Sequence, residues 1–335
     1  MDFRRTIPAR LRRRSSLLGL ALVLLSASQG RGEDRVELVT QPDGKPGAVL
    51  RGTIVDIAQG QVRVQRPDGR TDSIPLTRVA RYDTTWPAGR QTGDTHRQAG
   101  KFDEALEAYR AASASDPRTW VKRDLAARAV ECFRETQRPL KAGELFLSLV
   151  TADPATPHFS SLPLAWTSVP AQREWLAAAR RWLDDQTSPA AVLLGASWLI
   201  AQDQPEAAVE RLRGLTTNRD HRIALLAEAQ LWRLRVGTAA ESEVAGWERI
   251  VSRLPLELRA GPYWVLGLAW VRLEQPERAA LSLLRVPIEY PGHYQLAGQA
   301  LELAARQLEQ LDRPTEAERL RQERSARFAA AEMPP

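Results

Sequence analysis

A single cysteine, Cys132, is all that this chain of 335 residues contains. Without a second thiol there can be no internal disulfide and no paired-Cys metal site, so packing alone must hold the fold together. Histidine is scarce too. His96, His158, His221 and His293 stand far apart and share no ligand spacing, which reads them as surface or capping residues. Also missing are a Gly-rich phosphate loop, a His-Glu-x-x-His helix and a Gly-x-Ser-x-Gly elbow. Adjacent acids such as Asp103-Glu104 and Asp184-Asp185 fall at helix starts or ends, where acids cap or stay solvated. No catalytic, cofactor-binding or metal-ligating residue is therefore predicted, and the chain reads as a non-enzyme. Absence of motifs leaves one other route to catalysis, a set of groups converging from distant positions.

No apolar run is long enough for a membrane span, which needs about 20 residues. The apolar stretch from Leu17 to Leu25 is about half that. It follows an Arg-rich start and precedes Ser26, Ala27, Ser28 and Gly30, the three-part pattern of a secretory signal with cleavage after Ser28 or Gly30. An uncleaved anchor is the alternative and the one predicted membrane attachment. The Arg pairs permit a twin-arginine route, though their surroundings match that motif poorly, and no Cys nearby supports a lipid anchor. This segment also explains the charge. The formal net charge is +6, and residues 1–30 hold Arg4, Arg5, Arg10, Arg12, Arg13 and Arg14 against Asp2, or +5, leaving +1 for the rest. A phosphate-binding footprint should persist on the folded part, so nucleic acid is not an expected partner.

Residues 31–85 differ from the rest of the chain. Arg35 to Thr40, Ala48 to Ala58, Gln61 to Gln65, Ser73 to Leu76 and Val79 to Tyr82 are short runs rich in Val, Ile, Leu and Thr. Between them stand Pro42-Asp43-Gly44, Gln59-Gly60 and Pro67-Asp68-Gly69, which are hairpin signals. Val62 and Val64 alternate with Arg63 and Gln65 as in a half-buried strand. The size and pattern resemble a small SH3-like or Sm-like barrel, which either binds a ligand or caps the next domain.

From Trp86 onward the period becomes helical. Ala191, Leu194, Gly195, Trp198 and Leu199 fall at i, i+3, i+4, i+7 and i+8, and Tyr263, Leu266, Gly267, Trp270 and Val271 repeat that spacing. Second helices begin near Pro139, Pro205, Pro276 and Pro314, since Pro suits a first helical turn. Cys132, beside Phe133 in such a stretch, reads as a small core residue. The pairs recur: Ala105, Tyr109 and Pro117 return as Ala142, Phe146 and Pro154, 37 positions later, and Gly195, Trp198 and Ala207 return as Gly267, Trp270 and Ala279, 72 later. Such a period marks a helical-hairpin solenoid. The block between Asp153 and Ala171 breaks it with Pro154, Pro157, Pro163 and Pro170, and predicts a loop whose Phe159 and Trp166 tuck back onto the scaffold.

Gly100, Phe102, Ala105, Tyr109, Ala112 and Asp116-Pro117 look like the second helix and closing turn of a tetratricopeptide repeat. Tyr263, Leu266-Gly267, Trp270, Ala279 and Pro291 resemble its whole frame. Looser copies cover most of residues 86–327; that at 221–255 carries a two-residue insertion, and the last keeps Ala305 and Ala317 but loses the closing Pro. The predicted fold class is thus mostly α: a signal peptide at 1–30, a small β domain at 31–85, tetratricopeptide-like hairpins at 86–155, a Pro-rich loop at 156–170, and further hairpins with a C-terminal helix at 171–335. The resemblance implies a groove lined by first helices that binds a protein or peptide segment. Arg90, Asp94, Arg97, Glu131 and Arg134 are the groove candidates it suggests. Their mixed signs depart from the basic clamp some relatives use for a terminal carboxylate. The expected role is an extracytoplasmic interaction scaffold, periplasmic or secreted. The alternative is an envelope structural protein whose β domain binds a wall polymer or glycan.

Overall fold

The computed structural model describes residues 33–40, 47–168, 172–329 and 331. The predicted signal segment and the predicted Pro42-Asp43-Gly44 turn lie outside the described residues. Five strands come first: β1 (Asp34–Leu38), β2 (Val49–Ala58), β3 (Gln61–Gln65), β4 (Thr71–Pro75) and β5 (Val79–Asp83). They form one antiparallel sheet in the order β4-β3-β2-β1-β5, with a short 3-10 turn at Leu76–Arg78 before the last strand. Gln59 and Gly60, at φ 53° and 71°, supply the left-handed pair that a two-residue hairpin turn needs between β2 and β3. Along β3, Val62 and Val64 are fully buried while their neighbours are exposed, as the alternation requires.

Thirteen helices follow among the described residues: α1 (Ala88–Gln98), α2 (Phe102–Ser115), α3 (Thr119–Glu135), α4 (Pro139–Ala152), α5 (Arg173–Leu183), α6 (Pro189–Leu199), α7 (Glu206–Leu215), α8 (His221–Trp232), α9 (Glu241–Val251), α10 (Ala260–Arg272), α11 (Pro276–Glu289), α12 (Tyr294–Gln310) and α13 (Pro314–Arg327). Successive helices pack as hairpins. Four hairpin turns are built alike. Gly100, Gln137, Glu274 and Asp312 have φ between 52° and 71°. The next residue's N–H donates to the carbonyl five positions back: Lys101 to His96, Arg138 to Phe133, Gln275 to Trp270, Arg313 to Leu308. This left-handed cap satisfies helix-end carbonyls and turns the chain at once into the next helix. Pro139, Pro276 and Pro314 then open α4, α11 and α13, while Pro205 sits one place earlier as the cap of α7. The α8–α9 and α9–α10 connections, residues 233–240 and 252–259, are longer.

Small residues set the crossings. A Cβ on Gly195 would come 2.7 Å from the Leu183 backbone nitrogen, so α6 meets α5 only as glycine. Tryptophans fill the spaces between: Trp182 meets Trp198 edge-on at 5.0 Å, and Trp232 stacks on Trp247 at 5.1 Å. Trp198, Trp232 and Trp270 are at most 4% exposed, so they are core spacers. α13 is polar nearly all round and buries only Ala317, as a terminal repeat must.

The sheet is built into the first hairpins. Trp120 on α3 donates from Nε1 to the Ile54 carbonyl at 3.1 Å, and Arg123 donates to the Ile57 carbonyl at 3.0 Å. Arg118 donates to Thr84 Oγ1 at 2.9 Å and to the Thr85 carbonyl at 2.7 Å. Trp86 and Tyr82 pack on Trp120, and one hydrophobic core runs from Val36 in the sheet to the last hairpins.

The Pro-rich loop enters the helical array as a strap. Phe159, Leu162, Leu164 and Trp166 are all buried, Phe159 lying against Phe146. Arg233, just past α8, holds the strap's backbone: it donates to the carbonyls of Ala165 at 2.9 Å and Thr167 at 3.1 Å, and to that of Ser197 at 2.8 Å. No carboxylate is among its hydrogen-bond partners, and burial lowers its pKa to about 10.

Candidate functional site

The five groove candidates lie where α1 and α3 run side by side. α1 presents Arg90, Asp94 and Arg97 at i, i+4 and i+7, hence on one helix face. α3 presents Asp124, Arg128 and Glu131 with the same spacing. The signs are complementary rung by rung. Arg90 pairs with Asp124 at 2.9 Å, Asp94 with Arg128 at 2.7 Å and Arg97 with Glu131 at 3.0 Å. Each rung joins residues 34 apart by subtraction. Side links brace the ladder: Arg128 Nε reaches Asp124 at 3.0 Å, and the Tyr109 hydroxyl donates to Asp94 at 2.7 Å. Arg90 lies over the Trp86 ring at 3.6 Å. Burial alone would raise the Asp124 pKa, but Arg128 and Arg90 more than offset this and hold it below the ordinary carboxylate range. Burial and the bond to Asp94 push the Tyr109 hydroxyl upward, so it stays a donor.

Beyond the last rung opens a polar cavity of about 470 Å³. Arg97, Glu131 and Arg134 line it from the first helices, with His158 and Ser161 from the strap and Tyr290 to His293 from the α11–α12 connection. The sequence candidates therefore divide. Arg90 and Asp94 are spent within the ladder, whereas Arg97, Glu131 and Arg134 reach the cavity. Arg97 keeps one capacity open, because its Nε is buried with no hydrogen-bond partner.

Arg134 also clasps the two ends of the array. It pairs with Glu135 at 2.6 Å and donates to the Gly292 carbonyl at 2.9 Å. Glu135 in turn accepts from the Gln295 backbone N–H at 2.9 Å, capping the start of α12. Tyr294 packs edge-on against Phe102 at 5.2 Å. The contacts of Arg134 with Gly292, Glu135 with Gln295 and Phe102 with Tyr294 join residues at least 158 apart, and none shows in the sequence.

His158 and His293, 135 positions apart, share the cavity. Burial lowers both imidazole pKa values, and for His293 the nearby Arg134 charge lowers it further. Both rings are therefore neutral at pH 7. Three of the cavity's acids are ion-paired, Asp124 with Arg90 and Arg128, Glu131 with Arg97 and Glu289 with Arg285, while Glu257 lines it as an exposed side chain. Among the described residues, no group of three or more His, Cys, Asp or Glu side chains could hold a metal ion, and no helix is long and apolar enough to cross a membrane. Cys132 lies fully buried on α3, and burial pushes its thiol pKa up to about 12. Comparison with protein-family models, with curated proteins and with solved structures finds no match.

Proposed function

We propose that this chain is an exported, non-catalytic interaction protein of tetratricopeptide-like build that holds a protein or peptide segment in the polar cavity between α1, α3 and the α11–α12 connection. One observation carries the reading. The cavity is lined by the first helices of two hairpins, and Arg97 stands in that lining with a buried Nε that has no hydrogen-bond partner. A peptide carbonyl or carboxylate is the natural acceptor, because a charge-assisted bond to a buried guanidinium exceeds a neutral one in strength. Binding fits better than acid–base catalysis, since the acids nearest Arg97, Asp124 and Glu131, are ion-paired and Glu257 is an exposed carboxylate. The meander order of the sheet, with a 3-10 turn before its last strand, favours an SH3-like cap on the first hairpin. Export rests on the pattern of residues 1–30.

The test is an exchange across the last rung. Arg97→Glu with Glu131→Arg keeps the ion pair but moves the open donor to the other helix. Residues 31–335, wild type and exchanged, would be cross-linked in an envelope fraction of the source cell and their partners read by mass spectrometry. A defined protein captured by the wild type and lost by an equally stable exchanged chain is the expected result. Equal capture by both, or sedimentation with wall polymer alone, would refute groove binding and favour the envelope structural role.

A further inference from the structure

A second, smaller cavity of about 250 Å³ lies behind the strap, apart from the ladder. We infer that it is a binding site for a small neutral aromatic molecule carrying one ring N–H or O–H, of the indole or phenol kind. Trp166 and Leu164 of the strap, Trp175 of α5, Trp198 of α6 and Leu296 of α12 form its apolar walls. The hollow is held open by its frame. The strap is tied on its far side: Ala165 N–H donates to Ser197 Oγ at 3.2 Å, and Gln230 and Arg233 donate to the Ala165 carbonyl at 3.1 and 2.9 Å. Trp166 is wedged over Gly261, where a Cβ would collide with the indole. A wall pinned in this way cannot collapse into the space, which is what lets the hollow persist.

The chemistry of the lining selects the ligand. A dry cavity of about 150 Å³ holds a benzene ring, so this larger one admits a bicyclic ring. Gln299 lines it at 7% exposure, and its Oε1 has no hydrogen-bond partner. Of the buried side-chain nitrogen and oxygen atoms left unpaired among the described residues, it alone belongs to this lining. A buried acceptor left open is unfavourable until a donor arrives. Arg134 and Glu135, the lining's charged pair, answer each other at 2.6 Å, so a charged ligand finds no counter-ion. A sugar ring would set several hydroxyls against the apolar walls, and a plain hydrocarbon would leave the Gln299 acceptor unpaired. A single ring donor between aromatic walls satisfies both conditions.

Isothermal titration calorimetry on residues 31–335 tests this with indole against indene, a near-isostere lacking the N–H. Indole is expected to bind one per chain with Kd on the order of 10 µM to 1 mM, in keeping with its size. Indene should bind about tenfold more weakly, the usual effect of one lost hydrogen bond. In Gln299→Leu the preference should vanish or reverse. N-acetyltryptophanamide identifies the source: tighter binding than indole points to a Trp side chain of a peptide, weaker binding to a free metabolite. No saturable indole binding, or equal binding of indole and indene to the unmodified protein, overturns the inference without relying on the variant. So does an indole preference that survives in folded Gln299→Leu.

Discussion

Adding one methyl group to Gly261 should do more damage than its size suggests. Gly261 opens α10 beneath the Trp166 indole, and a Cβ there would coincide with ring atoms Nε1, Cε2 and Cδ2. The obstacle is a rigid ring on a strap fixed by Arg233, so it cannot step aside like the end of a flexible chain. Gly261→Ala must therefore expel Trp166 or bend α10. Losing a buried Trp side chain costs about 3–5 kcal/mol. The helix gains at most about 1 kcal/mol from replacing Gly by Ala. A net loss of about 2–4 kcal/mol results, read as a lower urea midpoint by both circular dichroism and fluorescence. Gly246→Ala, mid-helix in α9 with only the Arg249 side chain nearby at 3.7 Å, should instead stabilise by about 0.5–1 kcal/mol. The decisive comparison is a cycle. In a Trp166→Ala background the ring is gone, so Gly261→Ala should be neutral or mildly stabilising, with a coupling of about 3 kcal/mol between the sites. Simple additivity, or a Gly261→Ala midpoint at the wild-type value, would refute this account of how the strap is seated.

Other outcomes rest on the same geometry. Gln137→Gly, Glu274→Gly and Asp312→Gly should each stabilise by about 0.5–1 kcal/mol, since a side chain in the left-handed region costs about 1–2 kcal/mol and glycine returns part of that as chain entropy; thermal midpoints check it. His158 and His293 are held below their ordinary value of 6.5, so the unfolded chain takes up more protons as pH falls through 6.5. Stability present above that value is lost on acidification, by up to about 1.4 kcal/mol per histidine per pH unit; the urea midpoint should drop from pH 7.5 to 5.5, and the His158→Gln/His293→Gln chain should show a flatter profile. Cys132, buried with its thiol pKa pushed up to about 12, should react with a thiol reagent only as fast as α3 opens, so reaction at the rate of a free peptide thiol would contradict its placement.

The elements were legible because each rests on a local period. Val62 and Val64 alternate as strands do, and Gly195 with Trp198 repeats at Gly267 with Trp270 as stacked hairpins do. The strap's apolar residues announced that it would fold back, though not where. The ladder was legible in half. Arg90, Asp94, Arg97 and Glu131 could be placed on first helices, but their mutual pairing could not be seen by reading each helix alone. A signal was present: shifting the sequence by 34 sets Arg90 over Asp124, Asp94 over Arg128 and Arg97 over Glu131, opposite signs at every rung. The meeting of His158 with His293 left no comparable trace, because it depends on the summed curvature of many hairpins. The same holds for the clasp of Arg134 and Glu135 on the start of α12.

That clasp changes what kind of object the helical array is. A linear stack of hairpins behaves like a zipper: each unit answers only to its neighbours, and the ends fray first. Here Arg134 and Glu135 grip Gly292 and Gln295 across a span of about 160 residues, so the zipper's two ends are hooked together. Separating α3 from α12 now requires breaking the hook, which lends these two helices the resistance of the middle ones to hydrogen exchange. The hook must also be set late, after the intervening units have formed, so folding carries the delay of one long-range closure that an open stack would be spared.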